Sequence, residues 1–271
     1  MRLTDAEVEA IATSFLAARR GARVLHSFPG RLPETLSDGY RVQERTSALD
    51  GRPIIGWKVA MIRPDLRAAL GSDRICGPIF AGPVHHLPFG GAATVGIHAG
   101  GFAAIEAEFA AVFAQDLEPG IDGFTTEAIA DALSGLHAGA EIASSPLPTL
   151  NDIGPLAVIC DQGNNSGGVV GPELARWRTA APASLTSKVF IDGGIVGEGS
   201  AAAVPGGPLG ALQFLAEHLA GRGRRLKAGD IVLTGMTTGA HNVVPGSTGR
   251  IQFSGVADCD LQVIAFGPVS P

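Results

Sequence analysis

The first apolar periodicity along the chain is helical. Val8, Ile11, Ala12, Phe15 and Leu16 fall on one face behind a Thr4-Asp-Ala-Glu7 capping box, and Gly21 supplies the stop. A second, looser helix is expected over Ser37 to Leu49. From Ile54 the period shortens. The runs IIGWKVAM, AAIEAEFAAVFA, LAVIC, KVFIDGGIVG, DIVLTGM and RIQFSGVADCDLQVIAF are separated by Gly/Pro turns, which is strand spacing. Two helices are expected to interrupt this region. One covers Thr126 to His137. The other starts at Pro208 and sets Leu209, Leu212, Leu215 and Leu219 on one stripe before Gly221. The pattern therefore predicts an α+β chain with a helical cap at residues 1–55 and a mostly-β body at 56–271.

Composition narrows the partners. With 38 glycines and 18 prolines and no collagen-like period, the chain is rich in tight turns, as a strand-rich body requires. The net charge is −6 and basic residues are scattered, apart from Arg19-Arg20 and the cluster from Arg222 to Lys227, so no nucleic-acid face is expected. No apolar run approaches the roughly 18 residues a membrane helix needs, so no membrane association is expected. The first residues carry acids and no signal-peptide core, which makes cytoplasm the expected location. Cys76, Cys160 and Cys259 are far apart, without zinc spacing, and read as free thiols.

The candidate chemistry lies in the strand from Ala103 to Ala114. Ile105, Ala107, Phe109, Ala111 and Phe113 form one apolar face, and Ala110, Val112 and Ala114 continue the other. Only Glu106 and Glu108 break the pattern, on one side and about 7 Å apart along the strand. Two readings stay open here. The pair faces water from an edge strand, or it is buried and holds a cation that removes the repulsion and desolvation of two like charges. Oxygen ligands suit a hard ion, Mg²⁺ or Mn²⁺. Glu141, after a helix and before a turn in Gly139-Ala-Glu-Ile, is a weaker case alone. Lys58 is the one charged member of the apolar strand Ile54–Met61. Neither GxSxG, HExxH nor a P-loop occurs. His85-His86 reads as surface, and His241 sits in a Gly-rich loop.

These residues resemble, in order, the blocks of the 2-keto-4-pentenoate hydratase / 4-oxalocrotonate decarboxylase group of the fumarylacetoacetate hydrolase superfamily. Tyr40-Arg-Val-Gln43 resembles its Tyr-x-x-Gln helix, and Gly56-Trp-Lys58 its Gly-x-Lys strand. Ile105-Glu-Ala-Glu108 and Ala140-Glu141-Ile142 are similar to its metal ligands. Cys160-Asp161-Gln-Gly163 resembles its Asp-Asn loop. Gly207-Pro-Leu resembles the start of a helix, and Leu226 to Gly235 with Thr237-Thr238-Gly239 resembles the substrate loop. The resemblance runs from about Tyr40 to Phe266. Three departures stand out. Ala143-Ser144-Ser145 replaces a frequent Asp-Ser-Arg, Ser72 to Cys76 follows the acidic Asp-Glu-Pro loop only loosely, and Gln162 replaces Asn.

The resemblance implies a mixed β-roll or barrel body after a small helical portion, a divalent metal (Mg²⁺ or Mn²⁺) on Glu106, Glu108 and Glu141, and a homo-oligomer. The implied activity is hydration of a 2-hydroxy-2,4-dienoate or 2-oxo-4-enoate to a 4-hydroxy-2-oxo acid, as in meta-cleavage catabolism of aromatic compounds. Decarboxylation of a 2-oxo-3-enedioate is the alternative, and a C–C hydrolase or a non-catalytic ligand-binding relative stand behind it. The C–C hydrolases carry a His close before the first metal-ligand Glu, and here the nearest is His98. Lys58 and Asp161 are the implied catalytic residues, with Asp161 orienting Lys58 or a metal-bound water. Burial would lower the Lys58 pKa and let it move protons. Thr237, Thr238 and Gly235 are the implied substrate-binding residues. A second substrate carboxylate would need an extra cation, for which Arg63 and Arg74 are candidates.

Overall fold

The computed structural model describes residues 1–121 and 123–268. Helices α1 (Asp5–Arg20) and α2 (Leu36–Asp50) open the chain. The Thr4 capping box forms in full, with the Thr4 hydroxyl accepting from the Glu7 N–H while the Glu7 carboxylate accepts from the Thr4 N–H. Val8, Ile11, Phe15 and Leu16 are buried, as their spacing predicts.

The body holds two sheets. The larger contains β1 (Ile54–Met61), β2 (Arg74–Phe80), β3 (Val84–His86), β5 (Phe102–Phe113), β6 (Leu133–Ser145), β7 (Asn165–Glu173), β10 (Ile231–Met236) and the short β11 (His241–Asn242). Its order is β2-β1-β10-β5-β6-β7-β3, with β11 paired to β5. The smaller contains β4 (Gly91–Ile97), β8 (Thr186–Ile191), β9 (Gly194–Ser200), β12 (Thr248–Phe253) and β13 (Cys259–Ala265), ordered β4-β13-β12-β8-β9. Both mix parallel and antiparallel pairs. The sheets meet over the apolar face of β5. Phe109 meets the Phe253 ring edge-on at 5.2 Å, and Gly249 passes so close to Ile105 that a Cβ there would lie 2.5 Å from its side chain. The expected α+β class, with a β-roll body, is the architecture found.

Five further helices punctuate the described residues: α3 (Pro64–Leu70), α4 (Thr126–Ala132), α5 (Leu150–Ile153), α6 (Pro155–Cys160) and α7 (Gly207–Ala220). Two of them correct the sequence reading. The helix expected over Thr126 to His137 stops at Ala132, because the chain from Leu133 pairs with β5 along almost its whole length. Glu141 therefore sits inside a long strand, not after a helix. The run LAVIC, expected as a strand, is helix α6. A five-residue apolar run does not separate a buried helix from a strand, and Pro155 at the first helical position was the local signal.

Candidate metal centre

Antiparallel register brings the glutamates together. Glu106 on β5 stands directly opposite Glu141 on β6, and Glu108 opposite Gly139. Opposed residues share a face with Cβ atoms about 5 Å apart, and Glu108 follows Glu106 on that face. One carboxylate oxygen from each of the three lies within 4.8 Å of the others. All three residues are buried, Glu141 completely.

Lys58 closes the cluster, with Nζ 3.2 Å from Glu141 Oε2. On a flat sheet the three strand spacings from β1 to β6 would separate their backbones by roughly 14 Å. The ion pair forms because the sheet curls. The shift in pairing between Leu233 and Met236 on β10, with Gly235 at φ +112°, is one place where it bends. Room for the lysine comes from Gly163, at φ +69°, where a Cβ would stand 3.0 Å from Lys58 Cε and 2.8 Å from the Gly77 backbone.

The electrostatics are those of a cation site. Burial, then the Glu141 charge, raises the Glu106 carboxyl to about 7, and burial with the neighbouring carboxylates pushes Glu108 well above its usual range. For Lys58, burial alone would depress the ammonium, but Glu141, Glu106 and Glu108 outweigh it and hold the pKa above the usual lysine value. The lowering expected from the sequence is thus reversed. Three carboxylates against one ammonium leave two negative charges when all are ionised. Among the described residues, Glu141 Oε2 accepts no hydrogen bond beyond that ion pair. An all-oxygen, doubly negative, buried donor set fits a hard divalent cation.

Backbone and side chains fix the positions of these carboxylates. Gly235 N–H donates to Glu108 Oε2 at 2.8 Å. Asn165 Nδ2 donates to Glu141 Oε1 at 3.0 Å, while Asn165 Oδ1 accepts from the Gly167 N–H at 3.1 Å. Asn165 was not singled out in the sequence. Its signal is the Asx-turn pattern of Asn165-Ser-Gly167, which speaks of a turn and not of a partner.

The cluster opens on a cavity of about 320 Å³. Lys58, Glu106, Glu108, Gly235 and Thr234 line it, together with Asn151, Asn164, Arg63, Arg74 and apolar residues of β1 and α6. Other expected site residues lie outside this lining. Asp161 is fully buried and bound by Arg19 of α1, Nε to Oδ1 at 2.5 Å, and burial raises its pKa against the pull of Arg19. Arg19 also donates to the carbonyls of Ser144, Asp161 and Asn165, which ties the first helix to the strands behind the glutamates. The Thr237 hydroxyl is buried, 2.8 Å from the Ala107 carbonyl and 2.7 Å from Ser187 Oγ. The Thr238 hydroxyl is 3.1 Å from His241 Nε2. His98 is buried against the Phe266 ring, and burial drives its pKa down to about 3. The three cysteines are free and buried. No helix among the described residues is long and apolar enough to cross a membrane.

Residues 79–264 match the family model for the fumarylacetoacetate (FAA) hydrolase C-terminal region. The chain belongs to the fumarylacetoacetate hydrolase family. It is 26% identical over 281 residues to a 4-oxalocrotonate decarboxylase of Pseudomonas putida, covering 97% of this chain and 98% of that protein. It is equally 26% identical over 199 residues to a 2-keto-4-pentenoate hydratase of Burkholderia vietnamiensis, covering 72% and 74% of the two chains. Among solved structures, 4-oxalocrotonate decarboxylase from Pseudomonas putida, complexed with magnesium and adipate, superposes with a TM-score of 0.78 at 24% identity over 97% of this chain and 100% of that one. Family membership and fold follow from these similarities. Hydratase and decarboxylase relatives are matched alike.

Proposed function

We propose that this chain is a divalent-metal-dependent lyase acting on a small 2-oxo acid, with hydration of a 2-hydroxy-2,4-dienoate or 2-oxo-4-enoate as the first reading. The observation that carries it is the convergence of Glu106, Glu108 and Glu141 with Lys58, at a cavity that Lys58, Glu106 and Glu108 line. The three glutamates are the ligands we assign to Mg²⁺ or Mn²⁺, and magnesium in the similar decarboxylase supports the choice. A divalent cation at this position supplies a Lewis acid to the carboxylate and keto oxygens of a 2-oxo acid, which favours its enol form.

Lys58 is assigned the proton. Its ammonium is held in place by Glu141, and it is the protonated amine at the carboxylate end of the cavity. Val59, Ile62, Val158 and Val204 give the same space an apolar lining. Gly235 acts through its N–H on Glu108. Asp161 is assigned an indirect part, because it holds Arg19, and Arg19 holds the backbone of Asn165 that reaches Glu141.

Decarboxylation of a 2-oxo-3-enedioate is the second reading, favoured by the nearly full-length match to 4-oxalocrotonate decarboxylase and by the dicarboxylate, adipate, in its solved structure. One assay separates the two. The chain is incubated with Mg²⁺ and either 2-hydroxypenta-2,4-dienoate or 2-oxo-3-hexenedioate, following dienol loss and CO₂. Dienol loss without CO₂ is the expected result; CO₂ release without hydration makes the second reading correct. Excess chelator should abolish either activity and added Mg²⁺ or Mn²⁺ restore it. Full turnover in chelator would overturn the proposal.

A further inference from the structure

The wall of the cavity beyond the glutamates carries a buried cation that the chemistry above does not use. Arg74 lies on β2 in register with Met61 of β1, three residues past Lys58, or about 10 Å along the strand. Both ends line one cavity. The Arg74 side chain is only 9% exposed. Arginine does not shed its charge on burial, so its surroundings must supply acceptors.

Those acceptors are incomplete. Nη2 donates to the Pro205 carbonyl, just before α7, and Nη1 reaches Asp73 Oδ2 at 3.2 Å. The Asp73 carboxylate is itself half-exposed, so its charge is spent largely on water. Nε is buried and has no hydrogen-bond partner among the described residues. The guanidinium is also fixed in place, with its carbon 5.9 Å from the centre of the Phe214 ring. Arg63, which lines the same cavity, differs in kind: its side chain is 70% exposed and paired with Asp65 at 3.1 Å.

A fixed, partly satisfied guanidinium is suited to a carboxylate, which it binds as a fork. Resting on the assignment of a 2-oxo acid to the metal end, we propose that Arg74 binds a second, distal carboxylate, so that, whichever of the two reactions the site carries out, the cavity binds short 2-oxo dicarboxylates more tightly than the corresponding monocarboxylates, which it still accepts. Arg74 is then a specificity-determining residue, and it falls where the sequence departs from the acidic loop of its relatives.

Two probes of equal chain length isolate that carboxylate: 2-oxoadipate and 2-oxohexanoate. Their dissociation constants for the full chain are measured by calorimetry in saturating Mg²⁺, for the unaltered protein and for Arg74→Leu and Arg74→Lys. The unaltered chain should bind 2-oxoadipate at least tenfold more tightly. Arg74→Leu should erase that ratio while keeping its affinity for 2-oxohexanoate and for Mg²⁺, and Arg74→Lys should restore part of it. Equal binding of both acids by the unaltered chain would overturn the inference even if no variant folds, as would a ratio that survives in Arg74→Leu. Binding of neither acid would instead overturn the 2-oxo acid assignment, and the inference with it.

Discussion

Replacing Glu106 by glutamine should stabilise the metal-free protein and destabilise the metal-loaded one. In the absence of metal, burial and the Glu141 charge raise the Glu106 carboxyl from the ordinary 4.5 to about 7. The folded chain therefore holds this proton more tightly than the unfolded chain does. The resulting stability is fully present below pH 4.5 and is lost as pH rises to about 7. At about 1.4 kcal/mol per pH unit, that loss is about 3 kcal/mol by pH 8. Glu108, raised in the same direction, adds to it. Glutamine removes the charge at nearly constant volume. In excess chelator at pH 8, Glu106→Gln should therefore melt above the unaltered chain. With roughly 2–4 °C per kcal/mol for a chain of this size, the gain is roughly 6–12 °C. The two curves should merge near pH 5. In saturating Mg²⁺ the order should reverse, because the variant lacks a ligand and gains less from the ion. Differential scanning calorimetry at both pH values, with and without metal, measures all four cases. A chelated, unaltered protein equally stable at pH 5 and pH 8, or a variant that melts lower in chelator at pH 8, would refute the reasoning.

Three other perturbations test separate parts of the site. Asn165→Ala removes the donor to Glu141 and should weaken Mg²⁺ binding by roughly 10–100-fold in calorimetric titration; unchanged affinity would mean Glu141 is held without it. Asp161→Ala strands the Arg19 guanidinium, 14% exposed, and should lower stability to urea by about 3–5 kcal/mol, whereas a loss within the scatter of a surface substitution would show the pair to be weak. Gly163→Ala places a methyl against Lys58 and Gly77 at φ +69°, and should destabilise by about 1–2 kcal/mol from the backbone alone; a neutral result in the same urea titration would remove the close approach argued for Lys58.

Periodicity carried the elements whose pattern is local. The α1 face, the strand Ile54–Met61 and the helix behind Pro208 all form where spacing puts them. It failed where pairing over a distance decides. Residues 133–137 follow an alanine-rich helix, with Leu133 and Leu136 still at helical spacing, but the twelve register pairs between β6 and β5 outweigh that preference. For the same reason Glu141 looked like an ordinary strand-end glutamate, since nothing nearby in sequence shows that it faces Glu106. Its membership of the cluster came from resemblance, and the geometry supplies the physical reason. Arg19 and Asn165 were silent because their partners are 142 and 24 residues away in the chain. Arg74 was noticed as a cation but not placed, because its position depends on the pairing of β2 with β1.

The three glutamates sit on paired strands of one sheet, locked by the ladder between β5 and β6, while the far wall includes Arg74 and Ile75 at the start of β2, the helix starts near Gly154 and the turn before α7. A single-residue slip of that ladder would put Glu141 on the face opposite Glu106 and Glu108, so the carboxylate end tolerates no gradual change. The loop and helix-start pieces of the far wall carry no such register, while Arg74 itself is placed by the pairing of β2 with β1. Substitutions in those pieces leave the three carboxylates where they are. A chain of this design can diversify its chemistry from one end only, and in an engineered variant the residues to randomise are those around Arg74, with the ladder left untouched.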